Sequence, residues 1–104
     1  MNGLLGLVGL GYRGRLVAVG VEAVRQELRR GRLRCVVVAA DASPRTVDKV
    51  VRLAAAKQVP LVRGPSAGAI GARLGRPPVM AVGVRDRGLA EGVLRAASVS
   101  VTED

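Results

Sequence analysis

The hydrophobic and polar positions along the chain predict nine secondary-structure elements. Apolar residues three or four positions apart predict amphipathic helices, whereas continuous β-branched runs predict strands that are buried on both faces. The predicted helices span residues 3–12, 20–30, 44–57, 66–74 and 86–97, and the predicted strands span residues 15–19, 33–40, 60–63 and 79–84. This alternation predicts an α/β fold in which a sheet lies between helical layers. We expect the residues after 97 to fray or to add an edge strand.

Residues with strong capping preferences support these boundaries. Ser43 and Ser66 each precede a predicted helix and are candidate N-caps, and Pro44 suits the first helical position. Asp86 is placed to cap the last helix. Gly31 is placed to end the second helix, because glycine readily adopts the left-handed conformation found after helix C-termini.

The composition indicates an aliphatic core and no catalytic centre. Hydrophobic residues make up 49% of the chain, Tyr12 is its only aromatic residue, and histidine is absent. Cys35, the only cysteine, lies in an apolar run and is predicted to be a buried thiol. Asp41 and Asp86 follow predicted strands, where catalytic acids occur in α/β folds, but both also suit turns and caps, which we favour. We therefore expect a non-enzymatic protein without a cofactor or metal.

The length of 104 residues predicts a single domain that spans positions 1–104. No apolar stretch is long enough to cross a membrane, and the start lacks the basic residues and long apolar run of a signal peptide. We therefore expect a cytoplasmic protein without a membrane segment.

Charge is the strongest chemical feature of the sequence. The chain has 17 basic and 8 acidic residues, a net charge of +9 that favours polyanionic partners. Residues 11–34 contain seven arginines and two glutamates, a net charge of +5, whereas residues 79–104 have a net charge of −1. Arg25 and Arg29 could form an ordinary solvated helix face or a surface that contacts phosphates. Because only one aromatic residue is present, base stacking on the protein is not available, and we expect RNA to be recognised by shape, helix N-termini and arginine.

Two glycine-rich segments allow other interpretations. Residues 9–14 match G-x-G-x-x-G, which in a dinucleotide site follows a strand and opens a helix. If residues 3–12 are helical instead, this interpretation fails, and we regard a small-molecule ligand as the weaker hypothesis. Residues 64–71 are glycine-rich but lack the lysine of a P-loop, so they could form an ordinary loop and cap or a backbone contact to RNA.

A series of segments in order resembles the kink-turn-binding ribosomal protein superfamily, which includes the archaeal L-seven-Ae-type protein and small bacterial paralogues. The resemblance extends from about Leu4 to Ala96. The segments that carry it are YRGRLVAVG at 12–20, VEAVRQELRRG at 21–31, VVVAADASP at 36–44, VPLVRGPS at 59–66, and VGV at 82–84 with DRGLA at 86–90. The resemblance implies a three-layer α-β-α sandwich with a four-stranded mixed sheet.

The resemblance also implies an RNA site at the N-terminus of the second helix, flanked by two loops. Kink-turn binders there have G-x-N-E-x-x-K, whose polar side chains recognise sheared G·A pairs. Gly20 fits this motif, whereas Glu22, Ala23 and Gln26 occupy the other three positions. Each lost bidentate base contact removes about 1–3 kcal/mol of discrimination. Some bacterial paralogues have a similar E-A-V start, which implies a different RNA or a ribosomal site.

We therefore predict binding to ribosomal or another structured RNA, with the ribosome as a candidate partner. Val62 and Pro65 are the candidates for an aliphatic contact with a flipped-out base. The full set of predicted RNA-binding residues is Arg13, Arg15, Gly20, Val21, Glu22, Arg25, Gln26, Arg29, Asp41, Val62, Arg63, Gly64, Pro65 and Ser66. The alternative is a protein-interaction module of the same fold that binds an acidic protein.

Overall fold

A computed structural model describes residues 3–102, and its elements follow the predicted order. The helices are α1 (Gly3–Arg13), α2 (Val21–Arg29), α3 (Pro44–Ala56), α4 (Ala67–Leu74) and α5 (Arg87–Thr102). The strands are β1 (Val17–Val19), β2 (Cys35–Val38), β3 (Leu61–Arg63) and β4 (Ala81–Val84). Each predicted element is present, although the strands are shorter than the apolar runs that predicted them.

The four strands form one mixed sheet in the order β1-β4-β2-β3. Strand β4 pairs antiparallel with both β1 and β2, and β2 pairs parallel with β3. Every residue of the two central strands is buried, as their continuous apolar sequences predict. The helices cover this sheet in two groups, because α2 packs against α3 while α1 contacts both α4 and α5. The α/β sandwich with a four-stranded mixed sheet is confirmed.

The core is aliphatic, and small residues allow its elements to pack closely. A Cβ atom at Gly11 would collide with the side chains of Leu89 and Val17, so glycine lets α1 approach α5 and β1. Cys35 is fully buried and free, as predicted, and burial raises the pKa of its thiol to about 11. The thiol is therefore neutral and unreactive at neutral pH.

The predicted caps are confirmed by hydrogen bonds. The Ser43 hydroxyl accepts from the N–H of Thr46, and the Ser66 hydroxyl accepts from the N–H of Ala69. The Asp86 carboxylate accepts from the N–H of Leu89 at 2.8 Å.

One prediction from local pattern is wrong, whereas the predicted first helix is confirmed and excludes its alternative. Residues 98–102 continue α5 rather than fraying or forming a strand, because propagating an existing helix gains one backbone bond for each residue fixed. Residues 9–13 lie inside α1, so the G-x-G-x-x-G segment does not join a strand to a helix. The dinucleotide interpretation is excluded. Within residues 3–102, no helix combines the length and hydropathy needed to cross a membrane, and the same residues contain no acidic or thiol cluster suited to a metal ion.

Candidate nucleic-acid interface

Three helices begin at the same end of the sheet, because β1, β2 and β3 all end there and each leads into a helix. The chain also returns there before β4. We call this end the entrance edge and define it as residues 20–23, 39–43, 63–66 and 79–80. Helix starts and connecting loops make this end a suitable binding surface, since loops outside the carboxyl ends of strands commonly form sites in α/β proteins.

Backbone hydrogen bonds hold the segments of the entrance edge together. The N–H of Gly20 donates to the carbonyl of Ala81 at 2.8 Å, and the N–H of Ala40 donates to the carbonyl of Pro65 at 3.0 Å. The guanidinium of Arg63 donates to the carbonyl of Ala40 at 3.1 Å. These bonds connect all three loops to the sheet and fix their relative positions.

Gly20 has a backbone conformation that only glycine adopts readily. Its φ of 99° and ψ of 154° lie in a region that is closed to residues with a Cβ atom. A Cβ atom built there would meet nothing within 4 Å. The requirement for glycine is therefore conformational, and the space above this backbone is open to a ligand.

Helix α2 begins without a side-chain cap, unlike the three helices that follow it. Gly20 is its N-cap and makes no side-chain hydrogen bond, whereas Ser43, Ser66 and Asp86 cap α3, α4 and α5. Uncapped N–H groups and the positive end of the helix dipole favour an anion at this position. The start of α2 can therefore accept a phosphate oxygen.

The acidic residues of the entrance edge are engaged within the protein. The Asp41 carboxylate accepts from the N–H of Ala67 at 2.8 Å, which ties the 39–43 loop to the start of α4. This bond supports the turn and cap role favoured for Asp41. Glu22 forms an ion pair with Arg25 at 3.2 Å, so its charge offsets that of the nearest arginine. The Arg25 side chain is only 25% exposed, and its buried Nε has no hydrogen-bond partner among the described residues.

The structure brings most of the predicted site together at the entrance edge. It places there Gly20, Val21, Glu22, Asp41, Arg63, Gly64, Pro65 and Ser66. Arg25 and Gln26 follow within the next turn of α2. Val62 lies apart, because it pairs with Val37 inside the sheet and packs partly buried against the core.

Arg13, Arg15 and Arg29 lie at the opposite end of the sheet. Arg13 and Arg15 precede β1, whose far end reaches Gly20, and Arg29 is the last residue of α2. The separation between Arg15 and Gly20 is on the order of 15 Å at the rise of a strand. The structure therefore does not build one entrance lined by Arg13, Arg15, Arg25 and Arg29.

These three residues belong to a larger group of arginines at this end of the sheet. We call it the arginine edge, and it comprises Arg13, Arg15, Arg29, Arg30, Arg32, Arg34 and Arg85. The Arg85 guanidinium donates to the Glu27 carboxylate at 2.8 Å and to the carbonyls of Arg15 and Val17 at 3.1 and 3.2 Å. The hydrogen bond from Arg85 holds the pKa of Glu27 below its ordinary value, and nearby Arg32 contributes to this effect. Arg85 thus joins α2 to the start of β1.

Met80 was not among the residues predicted from sequence, and it is 36% exposed in the 79–80 segment of the entrance edge. Its carbonyl accepts from the N–H of Ala39, so it lies between Gly20 and the 39–43 loop. The apolar run at 79–84 had placed Met80 inside a strand, but β4 begins at Ala81. The prolines at 77 and 78 mark a loop before Met80, but they do not determine where β4 begins.

Comparisons with known proteins identify the family and the fold of this chain. A profile of the ribosomal protein L7Ae/L30e/S12e/Gadd45 family matches residues 8–93. The RNA-binding protein YlxQ of Bacillus subtilis (strain 168) is 32% identical over 88 residues, which cover 85% of this chain and 88% of that protein. A Bacillus halodurans protein of unknown function has a TM-score of 0.89 at 23% identity over 94% of this chain and 99% of that one. The Giardia lamblia 15.5kD RNA binding protein has a TM-score of 0.74 at 24% identity over 95% of this chain and 85% of that one.

These two structures show the same fold, and the sequence matches confirm the resemblance that the ordered segments indicated. Family membership and the related sequence indicate a binding protein rather than an enzyme. The chain belongs to the ribosomal protein L7Ae/L30e/S12e/Gadd45 family.

Proposed function

We propose that this protein binds structured RNA, with ribosomal RNA as the leading candidate, through the entrance edge and without catalysis. The family and the relative named as an RNA-binding protein support RNA as the ligand. The observation that carries the choice of surface is the uncapped start of α2 beneath the open backbone of Gly20. We further propose that binding takes place in the cytoplasm, on the ribosome or on a separate folded RNA.

The first proposed contact is between an RNA phosphate and the N–H groups at the start of α2. Gly20 has no side chain to obstruct this approach, and the helix dipole favours the negative charge. Gly64 and Ser66 lie farther along the same edge, beyond the ends of β4 and β2, where the Ser66 hydroxyl already accepts from the N–H of Ala69. This arrangement positions the RNA backbone without reading its bases.

The second proposed contact is apolar. Met80 offers an exposed, flexible side chain beside Gly20, and it is better placed than Val62 to cover an unstacked base. Pro65 is half-buried in the adjacent loop and can extend this apolar surface. We therefore expect Met80, rather than the partly buried Val62, to contact an unstacked base.

Base reading is expected to differ from that of kink-turn binders. Glu22 is 77% exposed and paired with Arg25, and Ala23 has no polar side-chain atom. Glu22, Ala23 and Gln26 therefore cannot reproduce the amide, carboxylate and ammonium of the kink-turn motif at the same three positions. We propose that the protein recognises RNA mainly by backbone shape, with weak preference among base pairs.

A matched pair of variants tests the entrance edge. Met80→Glu places a negative charge beside Gly20, whereas Leu10→Glu makes the same chemical change at a residue that is 62% exposed on α1, outside both edges. We expect Met80→Glu to weaken binding to a folded ribosomal RNA fragment by more than tenfold in a filter-binding titration, and Leu10→Glu to have a much smaller effect. Equal affinities for the two variants would contradict the entrance edge as the binding surface.

A further inference from the structure

The arginine edge concentrates positive charge that the entrance-edge function does not use. All seven of its arginines are exposed. The acidic side chains beside them are Glu27, which pairs with Arg85 and Arg32, and Asp86, which caps α5. Exposed arginines therefore greatly outnumber carboxylates at this end of the sheet, and the edge has a strong positive field.

The arginines of this edge are ordered by the sheet rather than scattered along flexible loops. The N–H of Arg85 donates to Leu16 and the N–H of Arg34 donates to Val84, so Arg15, Arg85 and Arg34 lie at the ends of three neighbouring strands. Neighbouring strands are about 4.8 Å apart, which makes this row roughly 10 Å long. The C-terminal turn of α2 adds Arg29 and Arg30 beside the row.

One member of the row has an unfavourable backbone conformation. Arg15 has a φ of 60°, in the left-handed region that disfavours residues with a Cβ atom. It follows α1 at the position that Gly31 and Gly75 occupy after α2 and α4, and it makes the same type of closing hydrogen bonds. Glycine would meet the conformational need there. An arginine side chain in its place is consistent with a function that needs the charge.

The surface of the edge suits a polyanion better than a protein. Among the described residues, the exposed large hydrophobic side chains are Leu10, Val51 and Met80, and none belongs to the arginine edge. Protein interfaces normally have an apolar centre from which charged residues are depleted. A row of arginines without such a centre matches the phosphate contacts that dominate nucleic-acid binding.

We propose that the arginine edge is a second RNA-binding surface that holds the phosphate backbone of a separate RNA segment, so that one protein joins two segments. The two edges lie at opposite ends of a molecule whose principal extents are 33 × 30 × 26 Å, which allows both to be occupied at once. This surface recognises phosphates rather than bases. Binding of phosphates at this edge does not depend on the entrance edge, whereas the joining of two segments rests on the function proposed for the entrance edge.

The test combines an affinity measurement with a bridging measurement. A biotinylated RNA duplex is immobilised, the protein is added, and retention of a second, fluorescent duplex is recorded, while fluorescence anisotropy gives the affinity for one duplex. Arg30→Glu/Arg34→Glu changes two exposed arginines of the edge, and Lys49→Glu/Arg95→Glu makes the same change in net charge at exposed residues of α3 and α5. Thermal unfolding confirms that each variant is folded.

We expect the wild-type protein and the Lys49→Glu/Arg95→Glu control to retain the second duplex. Arg30→Glu/Arg34→Glu should lose this retention, bind a single duplex more than tenfold more weakly, and show a salt slope that is smaller by about two. Met80→Glu changes only the entrance edge and therefore separates a failure of that edge from a failure of the arginine edge. Loss of bridging in both variants would show that both surfaces take part. An Arg30→Glu/Arg34→Glu variant that binds and bridges like its control would overturn the proposal and leave an acidic protein as the ligand of this edge.

A second pair of variants separates charge from stability. Arg15→Gly and Gln58→Gly each replace a non-glycine residue that has a positive φ, and Gln58 has a φ of 58°. Both should raise the melting temperature, but only Arg15→Gly should weaken retention of the second duplex. Retention that is unchanged in Arg15→Gly would remove Arg15 from the proposed surface.

Discussion

The two ends of the sheet differ in what they present to a ligand. The entrance edge presents backbone groups to a ligand. These are the glycine-only conformation of residue 20, the uncapped start of α2, and loops fixed by hydrogen bonds to backbone carbonyls. Its nearest charges compensate each other, as the Glu22–Arg25 ion pair shows. The arginine edge presents side chains, and most of its guanidinium groups form no ion pair with a carboxylate of residues 3–97. The entrance edge is suited to recognising the shape of a ligand, and the arginine edge is suited to binding negative charge.

This difference shows why a charged stretch of sequence does not locate a charged site. Arg15 and Gly20 are close in sequence, but β1 runs between them and carries them to opposite ends of the sheet. Arg29 is similarly separated from Gly20 by the full length of α2. The positive charge of residues 11–34 therefore belongs mainly to the end that is farther from Gly20.

The largest effect on stability is expected from Glu27, which organises the arginine edge. Glu27→Ala leaves Arg85 without its carboxylate partner, and hydrogen bonds to charged groups contribute about 1.5–3 kcal/mol. We expect a loss of this order in the free energy of unfolding, measured by urea denaturation at pH 7. A loss confined to a few tenths of a kcal/mol would show that Glu27 does not hold this edge together.

The same carboxyl gives the arginine edge a defined pH dependence. Because the pKa of Glu27 is lower in the folded protein than in the unfolded chain, its stabilisation is present above the unfolded value of about 4.3 and disappears as the pH falls through the folded value. The wild-type protein should therefore lose more stability than Glu27→Ala between neutral pH and pH 3. Parallel pH profiles for the two proteins would contradict this assignment.

A smaller loss is expected at the entrance edge from Gly20→Ala. The added Cβ atom meets no neighbour, so the cost comes from the backbone conformation and should lie toward the lower end of about 1–3 kcal/mol. Gly68→Ala is the control, because Gly68 lies inside α4 with nothing within 4 Å and alanine favours a helix there. Urea denaturation should show a loss for the first variant and no loss for the second. If Gly20→Ala is as stable as Gly68→Ala, the conformational argument for Gly20 fails.

The smallest expected change is a gain at the arginine edge. Arg15→Gly removes the cost of a Cβ atom in the left-handed region, so the free energy of unfolding should rise by at most about 1 kcal/mol. Gln58→Gly should give a similar gain, because Gln58 ends α3 in the same conformation. Destabilisation by Arg15→Gly in differential scanning calorimetry would instead assign the Arg15 side chain a structural role.

Most of the fold follows from local sequence signals. The buried strands β2 and β4 have continuous apolar sequences, and Ser43, Ser66 and Asp86 mark helix starts that the structure confirms. The C-terminal end of α5 could not be predicted from sequence. The short alternation of Ser and Val there is too weak a strand signal to oppose continuation of the helix. Local patterns thus identify elements better than they identify their ends.

The candidate site was only partly predictable. Gly20 was identified because the family motif begins with glycine, and the loops at 39–43 and 63–66 followed from their order along the chain. Met80 was missed because its exposure depends on where β4 begins, and the arginines were misplaced because their positions depend on strand direction. Both facts are properties of the folded chain rather than of any window of sequence.

Amide chemical-shift mapping during titration with a folded ribosomal RNA tests the two-edge account most directly. The account predicts two separate sets of perturbed amides, one at residues 20–23, 64–66 and 80, and one at residues 13–15 and 29–34. The second set should weaken more steeply as salt is raised, since it depends on phosphate neutralisation. Perturbations confined to the outer faces of α3 and α5, with both edges unchanged, would contradict the account.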